Sequence, residues 1–509
     1  MFSTALAATL ALVVAALPAA AQKQGGTVVI AQGQQPPSLD PHVTSAQAAR
    51  NINLHVYETL VARDENAKTV PDLAEKVDIS ADGLTYTFTL RQGIPFHNGK
   101  VMTAADAAAS LERYRKVGAS ANVLETVDTI TASGPNTLVI KLKQVTPALL
   151  DSISSPRAPM AIMPAEEAAK PAGQTTPIGT GPFRFVEYVP DSHVKLEKFK
   201  DYKPNPAYRD RDGFAGHKVV HLDAVTFRFI AESGARAAGL QSGEIQLLET
   251  IDGPAAKRLQ ADRAYTVYPV LPFAFQVIKM NNNWGPTADA NLRRAIYVAL
   301  DMEEIMAISF PDIYQLEHGW QYPTSEFFAG DVGSEFYNKK DLNKAKEFLS
   351  KSNYKGEKLL FIVDNGRSNV DTATIVQQQL AKIGINVEIS VADWPTVSTL
   401  GFKPEGWNFW AHGFGIEPFE GPFSVMQPWV GAKASQAKPD PVLEQLWARM
   451  NSSLDVAERK KIFADFQARL VSEAIVIKAG NYGIFQTATA KLKNFKPYRI
   501  PRMWGTWLE

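Results

Sequence analysis

The sequence predicts an α/β protein built from several lobes. Strand and helix periodicities alternate along the whole chain. Pro and Gly are numerous, 32 and 33, yet scattered, with no low-complexity tract or fixed-period repeat. The 509 residues also exceed what one core usually encloses, at about 150 residues per domain. In chain order, Asp82-Gly83 marks a turn. Behind it Tyr86, Phe88 and Leu90 alternate with Thr85, Thr87 and Thr89, the period of a half-buried strand. Phe183 and Phe185, then Val194 and Leu196, read as a hairpin around Pro190-Asp191-Ser192. Val225, Phe227 and Phe229 alternate likewise. Leu292, Ala295, Ile296, Ala299 and Leu300 recur at helical spacing. Val376, Leu380 and Ile383 make a second helix face, which Gly384 ends. Ile385, Val387, Ile389 and Val391 then alternate as a strand, completing an αβ unit. Asp455, with Glu458 three residues on, reads as a helix cap before the stripe Ile462, Phe466, Leu470. Local composition marks breaks near 171–182, 269–272 and 474–483, with no flexible linker between lobes.

Composition narrows the function classes. The chain is 45% hydrophobic and 21% charged, which excludes disorder. Lys plus Arg and Asp plus Glu each total 53, a zero balance that argues against nucleic acid or anionic lipid as main partner. Cysteine is absent, which removes disulfides, zinc–thiolate sites, iron–sulfur clusters and thiol nucleophiles. Residues 5–17 are an uncharged, Ala-rich apolar run, followed by Pro18 and Ala19-Ala20-Ala21. Residues 1–21 are expected to be a signal peptide cleaved before Gln22, although no Lys or Arg precedes the run. Without a following Cys there is no lipid anchor, so a soluble periplasmic protein is expected. No later segment approaches the roughly 18–20 apolar residues of a membrane span.

Catalytic signatures are scarce. His217 and His221 are four apart but lead into a strand pattern, where they would lie roughly 13 Å from each other, too far for one ion. There is no nucleophile elbow and no Walker loop. Gly179-Thr180-Gly181 begins like a dinucleotide loop, but Pro182 and Arg184 break the pattern and a turn before the Phe183 strand is expected. Neither a metal nor a cofactor is expected. The segment 406–422 (GWNFWAHGFGIEPFEGP) holds Trp407, Phe409, Trp410, Phe414 and Phe419 among His412, Glu417 and Glu420. Its Gly and Pro content rules out a plain helix. A loop this aromatic is either a packed hydrophobic plug or a ligand wall.

Several segments together carry a resemblance. They are Ser38-Leu39-Asp40-Pro41-His42, Val56-Tyr57-Glu58-Thr59-Leu60, Val70-Pro71-Asp72-Leu73-Ala74-Glu75 and Asp82-Gly83-Leu84-Thr85-Tyr86-Thr87-Phe88. Phe96-His97-Asn98-Gly99, Thr103-Ala104-Ala105-Asp106, Gly179-Thr180-Gly181-Pro182-Phe183, and Leu292-Arg293-Arg294-Ala295-Ile296 with Asp301 follow in order. The chain resembles the family 5 extracytoplasmic solute-binding proteins of ABC transporters, the dipeptide, oligopeptide and nickel group. The resemblance implies a type II periplasmic-binding-protein fold with three lobes and a hinge-closed ligand cleft. Lobe I would be discontinuous (22–55, 172–271, 475–509), lobe II would be 56–171 and lobe III 272–474. Ligand would lie between lobes I and III with contributions from lobe II. Function would be capture, not catalysis, by a monomer whose closed form docks on a membrane permease served by an ATPase.

The same resemblance suggests site residues. Peptide-binding relatives carry an Asp, three positions before a Glu-Pro or Asp-Pro, that holds the peptide's α-ammonium. Aligned on Glu417-Pro418, Phe414 stands there, so the charge-assisted partner is missing unless Glu417 or Glu420 replaces it. His412 falls at an aromatic contact of nickel-chelate relatives, and Arg157 matches an Arg that meets a ligand carboxylate. Trp394 matches a pocket Trp, and Arg367 lies near a carboxylate-binding Arg. Ser45 begins the first pocket wall, and Tyr482 sits near the last crossover. With Trp410 and Phe414 these suggest an amphipathic organic anion or a stacked ring, such as an amino-acid conjugate, an opine-like compound or a sugar acid. A periplasmic sensor or peptide chaperone on the same fold, and a secreted hydrolase, are the competing functions.

Overall fold

The computed structural model describes residues 23–417, 420–431 and 438–509. The expected signal peptide, and Pro418 and Phe419 of the aromatic segment, lie outside the described residues. The largest sheet has eleven strands. Its path runs Val387–Ala392, Leu359–Asp364, Phe409–Phe414, Tyr265–Met280, Val476–Thr489, Leu247–Ile251, Thr27–Gln32, Ala224–Phe229, His193–Lys198, Phe183–Val189. Tyr314–Gln315 pairs with Val476–Thr489 beside this path. A separate antiparallel sheet orders Ala74–Ile79, Thr85–Leu90, Thr137–Leu142 and Val127–Ala132. Tyr86, Phe88 and Leu90 are buried there as their alternation predicts, in a core shared with Leu111 and Tyr114 of the helix Ala104–Val117. Thr103 and Asp106 close that helix's N-terminus as a reciprocal capping box.

Two long strands join the halves of the main sheet. Tyr265–Met280 and Val476–Thr489 run antiparallel, from Tyr265 opposite Thr489 to Lys279 opposite Val476. Of the three composition breaks, 269–272 and most of 474–483 fall within these strands, so the chain passes there through paired strand and not through a loop. Pro272 sits where the register shifts between Val270 and Ala274, so its missing N–H costs no ladder bond. A Cβ on Gly483 would lie 2.6 Å from the Ile313 side chain, so this glycine marks the crossing of a neighbouring segment. The stretch 174–179 is irregular, as its composition suggests.

The other elements follow their patterns, with local departures. The Phe183–Val189 and His193–Lys198 hairpin and the helix Ala290–Ala299 form as expected. The helix Arg367–Ala381 gives way through Gly384 (φ 80°) to Val387–Ala392, parallel to Leu359–Asp364. Val391 does not join the core: its strand is the last of the sheet, and the side chain is exposed. Asp455 caps Val456–Ser472 by accepting from Ala457 and Glu458 N–H. The Glu458 carboxylate accepts from Ser453 Oγ and does not reach back to Asp455. His217 and His221 precede the strand Ala224–Phe229 and bond separately, to the Asn205 carbonyl and the Gln24 amide. Among the described residues no helix is long and apolar enough to cross a membrane.

Candidate functional site

The aromatic segment expected as a loop contributes a central strand. Phe409–Phe414 pairs parallel with Leu359–Asp364 and antiparallel with Tyr265–Met280. Its residues are buried on both faces over most of its length, which is why apolar density alone left a packed plug and a ligand wall as alternatives. One face carries Phe409, Ala411 and Gly413. Phe409 packs 5.2 Å from the Phe361 ring. Gly413 lies against Tyr482, whose hydroxyl is 2.5 Å from where a Cβ would stand. Tyr482 in turn stacks on Phe310 at 4.3 Å and 9°.

The other face carries Trp410, His412 and Phe414. His412 lies 4.4 Å from Trp410 and 6.4 Å from both Phe414 and Trp394, measured between ring centroids. Trp394, at the start of the helix Trp394–Gly401, is 50% exposed and forms the outer edge of this row. Phe414 packs inward on Trp320. Opposite Trp410 on the neighbouring strand is Lys279, buried with its Nζ 4.5 Å from the Trp410 ring centroid and 3.2 Å from the Gly401 carbonyl oxygen. Burial pushes this ammonium down to about 7.

The turn after the strand concentrates charge. Glu417 accepts from both Arg50 Nη atoms, at 2.9 and 2.7 Å, and Arg499 Nε stands 2.8 Å from its Oε1. Burial alone would raise its pKa, but Arg50 and Arg499 hold the carboxyl below the usual range. The Glu417 N–H donates to Glu420 Oε2 at 2.9 Å. Burial pushes Glu420 up, against the pull of Arg157. Arg157 approaches Glu420 only at 3.5 Å, donates to the Gly415 carbonyl at 3.1 Å, and keeps 47% of its side chain exposed. A cavity of about 320 Å³ opens beside it, lined by Ser45, Arg63, Tyr114, Asp151, Arg157 and Glu420 among others.

The structure therefore brings most of the sequence-derived residues into neighbouring groups. Trp394, Trp410, His412 and Phe414 form the ring row, Tyr482 backs Gly413, and Ser45 and Arg157 share the cavity. Arg367 stands apart, because its side chain is 94% exposed and its ion pair is with Asp371 one helical turn on. Glu417 is not a free replacement for the missing aspartate, since two guanidinium groups already occupy it. Arg50 and Arg499 were missed by sequence reasoning. Arg50 lies 367 residues before the carboxylate it meets, and nothing local marks it. Among the described residues no cluster of three or more His, Asp or Glu side chains could hold a metal.

Residues 68–436 match the family described as bacterial extracellular solute-binding proteins, family 5 middle. The chain is 27% identical over 484 residues to the glutathione-binding protein GsiB of Pectobacterium atrosepticum, covering 92% of this chain and 91% of that protein. The substrate-binding protein CtaP of Listeria monocytogenes superposes with a TM-score of 0.83 at 23% identity, covering 96% of this chain and all of that one. NikA of Brucella suis, in complex with Fe(III)-EDTA, gives 0.82 at 20% identity over 95% of this chain and all of the other. The fold is that of the type II periplasmic binding proteins.

Proposed function

This chain belongs to family 5 of the bacterial extracellular solute-binding proteins, and from that premise we propose that it captures a carboxylate-bearing organic solute for an ABC importer. On this reading capture takes place in the periplasm, by a monomer exported through the 1–21 signal peptide. The lobes divide as 22–55 with 172–271 and 475–509, 56–171, and 272–474. Closure brings lobe III against the other two around the solute. The complex then docks on a permease, and a partner ATPase drives release. No chemical step is performed on the solute.

One observation carries the choice of solute: the carboxylates beside the aromatic strand are already engaged. Glu417 is paired with Arg50 and Arg499, and Glu420 accepts the Glu417 N–H and is pushed toward its neutral form by burial. In the alignment through Glu417-Pro418, Phe414 falls where the peptide-binding members hold an ammonium. A peptide's α-amine would be desolvated there without a free counter-charge, which is costly. Arg157 is the opposite case, a half-exposed guanidinium on a long pairing, whose planar fork suits a carboxylate. The relative GsiB is named for glutathione, which bears two carboxylates and also an α-ammonium, so it supports the carboxylate part of the reading alone. Calorimetric titration with free di- to pentapeptides tests the reading. Weak or absent binding is expected, and micromolar or tighter binding would contradict it.

A further inference from the structure

The ring row on the Phe409–Phe414 strand holds an unused hydrogen-bonding atom. His412 Nδ1 lies 3.0 Å from the Gly413 carbonyl oxygen. A carbonyl only accepts, so Nδ1 carries the proton and Nε2 is left as a bare acceptor. That Nε2 is buried and has no partner among the described residues. The Trp410 indole N–H, on the ring 4.4 Å away, is likewise buried without a partner. Unpaired buried polar atoms are uncommon in folded proteins and call for an explanation. Two on adjacent rings, beside a half-exposed Trp394, fit a subsite that a solute completes.

The surroundings select what can enter. Burial, with Lys279 adding to it, pushes the His412 imidazolium down to about 4, so the ring is neutral at ordinary pH. The rings around it, Trp394, Trp410 and Phe414, carry no negative charge. A cationic donor would meet Lys279 across the Trp410 ring with no carboxylate in the row to offset it. A metal ion would find a single nitrogen.

We propose that His412 Nε2 accepts a hydrogen bond from an uncharged donor of the bound solute, a carboxamide N–H or a hydroxyl, and so selects solutes bearing such a group. This deepens the reading of the cleft as the site of a carboxylate-bearing solute, and rests on it. The Trp410 N–H supplies the complementary donor for the same group's oxygen.

A matched pair of probes separates the two ideas. Glutaramate and monomethyl glutarate both keep a carboxylate, lack an ammonium and have no hydrogen-bond donor along the chain between their ends. They differ at one end, carboxamide against ester. Calorimetry on the full protein is expected to favour the carboxamide by about tenfold, the weight of one buried hydrogen bond. His412→Phe is expected to erase that preference while circular dichroism and melting temperature confirm the fold. His412→Gln, which returns an acceptor near the same place, is expected to restore part of it. Equal binding of both probes, or a preference that survives His412→Phe, overturns the proposal and leaves the carboxylate reading standing. Binding of neither probe overturns the carboxylate reading and this proposal with it. Nitrogen-15 spectra of histidine-labelled protein check the premise without a solute. The Nδ1–H tautomer is expected down to pH 5, and an Nε2–H tautomer there would overturn the proposal.

Discussion

Glu417 is where single residues matter most. Two guanidinium groups hold it from distant parts of the chain, Arg50 on the helix Gln47–Val56 and Arg499 near the C-terminus. Replacing the carboxylate leaves both arginines buried without their partner. Glu417→Ala is therefore expected to lower stability by roughly 3–5 kcal/mol, read from urea unfolding. Its carboxyl is held below the unfolded value, so its contribution is present above that value. It is lost as pH falls through the folded pKa. Arg157 is expected to behave differently. Its pairing is long and half exposed, so Arg157→Ala should change stability by under about 1 kcal/mol. The same variant should weaken binding of an N-acetylated, carboxylate-bearing probe by at least tenfold in calorimetry. At this scale local motifs named Trp394, Trp410, His412, Phe414 and Arg157 as candidates, and the structure sets the four rings side by side; their contact with a solute belongs to the proposal. Arg50 and Arg499 could not be named in this way, because a buried ion pair between segments hundreds of residues apart leaves no local pattern.

Among elements, the Phe409–Phe414 strand and the helix Trp394–Gly401 determine the shape of the ring row. The helix ends on Gly401, where a Cβ would stand 2.2 Å from the Trp410 ring. Gly401→Ala is expected to push Trp410 aside, cost roughly 1–3 kcal/mol, and alter tryptophan fluorescence, whereas Gly384→Ala, with open space around it, should leave Trp410 in place. Most elements were legible because their apolar periods are clean, as in Tyr86, Phe88, Leu90 or Ile462, Phe466, Leu470. The aromatic strand was not. A strand buried on both faces loses its alternation of apolar and polar residues, and the Gly and Pro flanking it resemble loop composition. At 269–272 and 474–483 composition marks real local features, Pro at a register shift and Gly under a crossing segment, but does not show that both lie within paired strands.

Among the described residues the two larger sheets have eleven and four strands, and the larger is spanned by the two long strands that link its halves. Charges meet where separate stretches converge, and several histidines are buried between elements. His42, His55, His97 and His412 are each pushed down to about 4, chiefly by burial. Unfolding lets them take up protons near 6.5, so between about 6.5 and 4 the unfolded chain binds more. Stability is thus present above that window and falls as pH drops through it, by up to about 1.4 kcal/mol per pH unit for each group. Asp72, raised to about 6 by burial, and Glu249 and Glu420, also raised by burial, oppose this trend, whereas Glu58 and Glu417, held low by their cations, act with the four histidines at the lower end of the window. The urea midpoint is expected to fall steadily from pH 6.5 to 4. The most direct test of the account is native mass spectrometry of the protein purified from its own host. The account predicts a bound organic anion carrying a carboxylate and a neutral donor group, with no free peptide amine. A ladder of ordinary peptide masses would contradict it.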